Sequence, residues 1–125
     1  MNLIVLLCVG AGGALGALCR HKATGRMKPY FKSAFPWPTL FINLAACTLA
    51  GVALAACAHM NQTAYMALTM GFLGGFSTLS TMNCEAVDLV VHGQVGTGVA
   101  YLAATYASTL GAAAFGFALA SLFCV

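Results

Sequence analysis

The chain has 125 residues, of which 62% are hydrophobic and only 6% are charged, and its formal net charge is +3. Soluble domains carry about a quarter charged residues, so this composition excludes an ordinary water-soluble fold. It predicts an all-α membrane protein. We expect one transmembrane domain over residues 1–125, because the length leaves no room for a separate catalytic module.

Four apolar stretches predict four transmembrane helices. A helix needs about 20 residues to cross a hydrocarbon core of about 30 Å. The stretches run approximately from Leu3 to Cys19, Thr39 to Ala58, Ala64 to His92 and Gly98 to Val125. No basic region precedes the first of them, which disfavours a signal peptide.

All five lysines and arginines lie between the first two predicted spans, at Arg20, Lys22, Arg26, Lys28 and Lys32. Positive residues favour the cytoplasmic side of a membrane, so this connection is predicted to be cytoplasmic and both chain ends external. The same charges attract anionic lipid headgroups. The bilayer is therefore the expected partner, and no nucleic acid is expected.

Small residues and single cysteines are spread through the apolar sequence. Gly12 with Gly16, and Gly71 with Gly75, form GxxxG patterns, which let membrane helices approach closely. The six cysteines occur without a CxxC, so they are interpreted as small buried side chains and not as disulfides or metal ligands.

The third span is interrupted by GFLGGFSTLSTMNCE, from Gly71 to Glu85. The glycine pair followed by Ser77 and Thr78 predicts that a helix stops and restarts here, with a hydroxyl capping its second half. Such a break frees backbone carbonyls, which are tolerated at membrane depth inside protein or beside a cavity and commonly coordinate cations.

Polar side chains recur at helical spacing in three of the predicted spans. The sets are Thr39 with Asn43, Ser77 with Thr81 and Glu85, and Tyr101 with Thr105 and Thr109. Each threonine can instead bond a carbonyl of its own helix, while the Asn43 amide needs partners and predicts a functional or helix-linking role. These hydroxyl and amide groups are hydrogen-bond donors, and the spans lack a ring of carboxylates, so the sequence favours transport of an anion over transport of a cation.

Three blocks carry a resemblance to a known family. GGALGALCR at 12–20, TLFINLAAC at 39–47 and the 71–85 block are similar to the Fluc (CrcB) family of bacterial fluoride channels. The resemblance implies a fluoride-selective channel subunit, not an enzyme, that exports fluoride passively across the bacterial inner membrane. It further implies an antiparallel, dual-topology dimer whose third helix is broken at its centre.

The resemblance also implies site residues. Backbone carbonyls of Gly74 and Ser77 would hold a structural sodium ion at the dimer centre, and Arg20 would lie at the aqueous vestibule. The implied fluoride pathway comprises Thr39, Asn43, Leu79, Ser80, Thr81, Met82, Thr105 and Thr109. Glu85 matches an acidic residue to which no role is assigned.

One departure from the family leaves two hypotheses open. Leu79 and Met82 stand where the family usually has phenylalanines, whose ring edges are thought to face fluoride. Either the remaining donors suffice for conduction, or this subunit conducts partly or not at all and works beside a paralogue. The one-sided charge favours the second account slightly, because dual insertion needs balanced charges.

Two other classes of protein are less consistent with the sequence. A small dual-topology multidrug exporter would need a carboxylate in its first span, and Leu3 to Cys19 contains no acidic residue. An intramembrane enzyme would need a nucleophile, a base and an orienting group at matched spacing, and the sequence offers none.

Overall fold

The computed structural model describes residues 2–124, which form helices and connecting turns with no strand. The α-helices are α1 (Leu3–Met27), α2 (Trp37–Ala56), α3 (Gln62–Met66), α4 (Gly74–Phe76), α5 (Leu79–Val91) and α6 (Val95–Cys124). A π-helical segment, Ala67–Leu73, joins α3 to α4, and 3-10 turns occupy Lys28–Tyr30 and Cys57–His59.

Within residues 2–124, three helical stretches are long and apolar enough to cross a membrane. They are Leu3–Tyr30, Trp37–His59 and Val95–Cys124. This confirms the prediction of an all-α membrane protein. The region predicted as the third span is divided into α3, the π-helical segment, α4 and α5, and none of these pieces alone has the length of a span.

Helix α1 is longer than its apolar sequence. It continues to Met27, so that Arg20, Lys22 and Arg26 extend the helix and do not form a loop. Arginine and lysine are good helix formers, and the α-helix ends only where Pro29 enters the following 3-10 turn. Because these basic residues belong to a helix, their spacing places them on different faces of α1.

The break in the third region separates two packing partners. Before it, the π-helical segment and α4 pack on α1, and after it α5 packs on α6. A Cβ atom added at Gly12 would lie 2.6 Å from the Ala67 carbonyl oxygen, and one at Gly71 would lie 2.7 Å from the Val9 carbonyl oxygen. Both distances are too short, so the predicted GxxxG faces are sites of direct backbone packing.

Helices α2 and α6 form the other close pair. A Cβ atom on Gly51 would collide with the Ala113 carbonyl, and one on Gly116 would collide with the Thr48 carbonyl. The two glycines thus let the helix backbones meet at two reciprocal points. This contact fixes the position of α2 side chains relative to those of α6.

A tight turn connects α5 to α6. Gly93 has φ of +81°, a conformation that glycine adopts without a steric penalty. The N–H of Gln94 donates to the Leu89 carbonyl at 2.8 Å, and the N–H of Gly93 donates to the Val90 carbonyl at 3.1 Å. The turn returns the chain against α5, as in other glycine-terminated helices.

The buried core lies near the basic connection, where α2, α5 and α6 meet. It contains Leu40, Met82, Ala86, Leu89 and Tyr101. The ring of Phe35 packs edge-on against Tyr101, with centroids 5.3 Å apart. Such aromatic contacts add to the burial energy and hold Tyr101, which is completely buried, in a fixed position.

Candidate ion pathway

The predicted interruption is present and lies at Ser77 and Thr78. Helix α4 ends at Phe76, Ser77 has ψ of 160°, and Thr78 is extended with φ of −151° and ψ of 113°. The Thr78 hydroxyl oxygen accepts from the Thr81 N–H at 3.3 Å, as an N-cap of α5. The break and its hydroxyl cap therefore agree with the expectation from sequence.

Asn43 clamps the broken backbone from α2. Its Nδ2 donates to the Thr78 carbonyl at 3.0 Å, and its Oδ1 accepts from the Thr78 N–H at 2.8 Å. Both residues are buried. One amide thus pairs the Thr78 N–H, which the interrupted helix leaves without a helical acceptor, and adds a second hydrogen bond to the Thr78 carbonyl, which as the N-cap also accepts the first helical bond of α5. The second N–H of Nδ2 remains for another acceptor.

Two carbonyls near the break leave the ordinary helical pairing. In a continuous helix the Thr78 N–H would donate to the Gly74 carbonyl, but here it donates to Asn43. The Ser77 carbonyl accepts from Arg20 Nη1 at 3.1 Å. Arg20 thereby connects α1 to the break, while a carbonyl oxygen has a second lone pair for another partner.

Glu85 joins three helices through its carboxylate. Oε1 accepts from the Thr39 hydroxyl of α2 at 2.9 Å, and Oε2 accepts from the Tyr101 hydroxyl of α6 at 2.8 Å. Hydrogen bonds to a charged acceptor are stronger than neutral ones. The acidic residue that had no assigned role from sequence is therefore a tie between α2, α5 and α6.

A cavity of about 160 Å³ lies on one side of the break. It is bounded by α2, the break, α5 and α6, and its lining combines hydroxyl, amide, thiol and apolar groups. The lining residues are Asn43, Cys47, Ser77, Thr78, Leu79, Met82, Thr105, Tyr106 and Thr109. We call this the inner cavity.

A second cavity, of about 250 Å³, lies on the other side of the break toward the basic connection. Its lining residues are Ala17, Arg20, His21, Thr24, Lys28, Thr39, Ile42, Thr78, Thr81 and Glu85. We call this the vestibule. Thr78 lines both cavities, so the extended backbone of the break separates one from the other.

The residues expected along a pathway divide between these cavities. Asn43, Leu79, Met82, Thr105 and Thr109 line the inner cavity, whereas Arg20, Thr39 and Thr81 line the vestibule. Ser80 lines neither cavity and is exposed in the single chain.

The threonines of α6 make local hydrogen bonds. The hydroxyl of Thr105 donates to the Tyr101 carbonyl at 2.7 Å, and that of Thr109 donates to the Thr105 carbonyl at 2.6 Å. Each therefore presents oxygen lone pairs to the inner cavity, and its hydroxyl must rotate before it can donate to an anion.

Leu79 and Met82 have different environments. Met82 is only 1% exposed and packs in the core with Leu40 and Tyr101, while Leu79 is 59% exposed. Both border the inner cavity. An exposed apolar side chain beside a cavity is a surface that a second subunit could cover.

Several site residues were not among the residues predicted from sequence. Cys47 follows Asn43 by four residues, so helical spacing could have indicated it, as it indicated Tyr101 in the polar set of the fourth predicted span. His21 and Lys28 gave no such signal, because the sequence placed them outside the apolar spans. Their inclusion in the vestibule depends on the extension of α1 to Met27.

Comparison with known proteins decides the family. A family model described as "CrcB-like protein, Camphor Resistance (CrcB)" matches residues 7–117. The chain belongs to the CrcB family.

Relatives in this CrcB family cover nearly the whole chain. It is similar to the "Fluoride-specific ion channel FluC" of Rhizobium meliloti (strain 1021), with 38% identity over 91% of this chain and 94% of the relative. Identity is 40% to "Fluoride-specific ion channel FluC 3" of Bifidobacterium longum (strain NCC 2705), over 94% of this chain and 95% of the relative. Identity is 34% to the "Fluoride-specific ion channel FluC" of Rhodospirillum centenum (strain ATCC 51521 / SW), over 92% of this chain and 94% of the relative.

The resemblance drawn from the three sequence blocks is therefore confirmed. The CrcB relatives are named as ion channels and not as enzymes, in agreement with the expectation for this chain. The drug-exporter alternative is left without support.

Proposed function

We propose that this chain is a subunit of a fluoride-selective channel that lets fluoride leave the cytoplasm passively and so lowers its toxicity. The observation that carries the proposal is a buried break, clamped by Asn43, with a cavity on each side. It occurs in a chain whose relatives are named fluoride channels. Passive flow suffices, because a negative cytoplasm expels an anion without a coupled ion.

The proposed pathway runs from the vestibule, past Thr78, into the inner cavity. Arg20 attracts the anion, Thr39 and Thr81 offer hydroxyls, and the free N–H of Asn43 receives the ion beyond the break. Thr105 and Thr109 then donate after their hydroxyls rotate. Fluoride is small and strongly hydrated, so several closely spaced donors must replace its water.

The proposed assembly is an antiparallel dimer of four-span subunits in the bacterial inner membrane. The pieces from α3 to α5 together would form the broken third span. Leu79 is exposed beside the inner cavity, and Ser80 is exposed next to it. A second subunit on this face would enclose the cavity and bring Ser80 to the pathway.

A structural sodium ion at the dimer centre is part of the proposal. Gly74 and Ser77 fit such a site, because the N–H that would pair with the Gly74 carbonyl is diverted to Asn43 and the Ser77 carbonyl lies on extended backbone. Hard cations prefer oxygen ligands. Arg20 already bonds the Ser77 carbonyl, so sodium would use the second lone pair of that oxygen.

The second candidate function is that of a partly conducting or non-conducting subunit in a heterodimer with an oppositely oriented paralogue. It is favoured by the core position of Met82 and by the five cations near one membrane face. In a homodimer, both copies would have to insert in opposite orientations despite that bias.

The test is fluoride efflux from liposomes that contain only this chain, followed with a fluoride electrode. Efflux that exceeds protein-free vesicles and restores growth of fluoride-sensitive cells supports a homodimeric channel. Efflux that requires a co-expressed paralogue supports the heterodimer. Absence of efflux in both preparations, with correctly inserted protein, contradicts the channel proposal.

A further inference from the structure

The vestibule contains cationic groups that the proposed pathway does not use. Ala17, Arg20, His21, Thr24 and Lys28 line it from one face of α1 and the following turn. Their spacing of three or four residues places them along a single helical stripe. Lys22 and Arg26 are four residues apart and line neither cavity.

Among residues 2–124, one carboxylate lines the vestibule beside these cations. Glu85 enters the vestibule from α5, and its two oxygens already accept from Thr39 and Tyr101. Helix α2 contributes Thr39 and Ile42 to the lining, which are not titratable. From α6, Tyr101 faces Glu85 without lining the cavity.

The charge balance of the vestibule therefore depends on His21. With a neutral imidazole, Arg20 and Lys28 exceed Glu85 by one positive charge, and protonation of His21 doubles that excess. Histidine is the side chain whose charge commonly changes near physiological pH. The His21 side chain is exposed and lines the vestibule, so protons reach it from solution.

We propose that His21 and Lys28 complete an anion-collecting vestibule with Arg20, and that protonation of His21 increases the capture of fluoride. This inference rests on the proposed channel function and adds a titratable residue that determines the rate of entry. A lined cavity with excess positive charge raises the local concentration of anions and their rate of association.

The expected effect is about threefold in flux at sub-saturating fluoride. That is the effect of one elementary charge about 7 Å from an anion in a water-filled space. Efflux should rise by this factor from pH 8 to pH 6, with the same pH on both sides of the membrane. Protein-free vesicles at each pH correct for diffusion of neutral hydrogen fluoride.

The His21→Gln variant should conduct at the pH 8 rate throughout, and His21→Lys should conduct at the pH 6 rate throughout. His92→Gln, which alters an exposed histidine at the end of α5, should keep the wild-type slope. Lys28→Gln should reduce flux about threefold at every pH, while Lys22→Gln should leave it unchanged. A slope that persists in His21→Gln, or a flat wild-type profile, overturns the inference.

A second measurement does not require conduction. Trp37 is the only tryptophan. It begins α2, at the same end of that helix as the vestibule residue Thr39 but on another face, so its fluorescence reports anions that gather around the entrance. Quenching by iodide relative to neutral acrylamide should increase from pH 8 to pH 6 in the wild type and stay constant in His21→Gln. If the quenching of the wild type depends on pH but no fluoride flux is found, the channel proposal is contradicted and the anion-collecting vestibule is not. If the wild type and His21→Gln show the same quenching at both pH values, the anion-collecting vestibule is contradicted.

Discussion

Replacement of Asn43 by Asp tests the clamp and the pathway together. Oδ1 of Asn43 accepts from the Thr78 N–H, which an aspartate oxygen can still do. Nδ2 donates to the Thr78 carbonyl at 3.0 Å, where aspartate instead places a second oxygen. The substitution preserves the shape of the side chain while it removes a donor and adds a negative charge.

Two costs follow from this geometry. Loss of the donor removes one of two hydrogen bonds to the buried Thr78 carbonyl, whose helical bond in α5 remains, and this costs about 1 kcal/mol. A carboxylate about 5 Å from a passing anion raises its energy by roughly 3 kcal/mol at an effective dielectric constant of about 20. The second term alone predicts that fluoride flux falls by roughly two orders of magnitude.

The assay is fluoride efflux from proteoliposomes, with the amount of folded protein checked by size-exclusion chromatography. The matched control is Asn61→Asp, because Asn61 caps α3 by accepting from the Thr63 N–H at 2.8 Å and aspartate caps equally well. Wild-type flux through folded Asn43→Asp protein would refute the placement of Asn43 on the pathway.

Three further substitutions test packing, the Glu85 tie and the inner cavity. In Gly75→Ala the new Cβ would collide with the Gly13 carbonyl, so thermal unfolding in detergent should show a destabilisation of about 1–3 kcal/mol. The control is Gly111→Ala, where the Cβ meets open space and stability should not change. Equal melting temperatures for the two variants would contradict the close contact at Gly75. Glu85→Gln leaves one of the two hydroxyl donors on Thr39 and Tyr101 without an acceptor, so it should cost about 1–3 kcal/mol in the same assay; an unchanged melting temperature would show that the tie contributes little. A small membrane-permeant thiol reagent should inhibit fluoride flux by modifying Cys47, which lines the inner cavity. Cys47→Ala should therefore prevent this inhibition, whereas Cys84→Ala should not. Inhibition that persists in Cys47→Ala would place the inner cavity off the pathway.

Much of the architecture was predictable because lipid imposes strong constraints on a sequence. Three long apolar helices and the break at Ser77 and Thr78 follow from runs of apolar residues and from a glycine pair with hydroxyls. The family was predictable from three short blocks, since each combines residues with unusual backbone or hydrogen-bonding requirements.

Side-chain pairings were harder to predict, because they depend on the rotation of each helix about its axis. Asn43 was expected to have a functional or helix-linking role, but its bidentate contact with Thr78 requires α2 to face the break. Likewise, Glu85 finds Thr39 and Tyr101 only when three helices converge. Helical periodicity shows which residues share a face, but it does not show which helix packs against that face.

The sequence by itself determined that this protein lies in a membrane, where its third region breaks and to which family it belongs. The tertiary structure decided that the third region packs on α1 before the break and on α6 after it. It also decided that Met82 lies in the core and that His21 and Lys28 line the same vestibule as Arg20. The physical reason is that composition and spacing are local properties, whereas a cavity forms only where the faces of several helices meet.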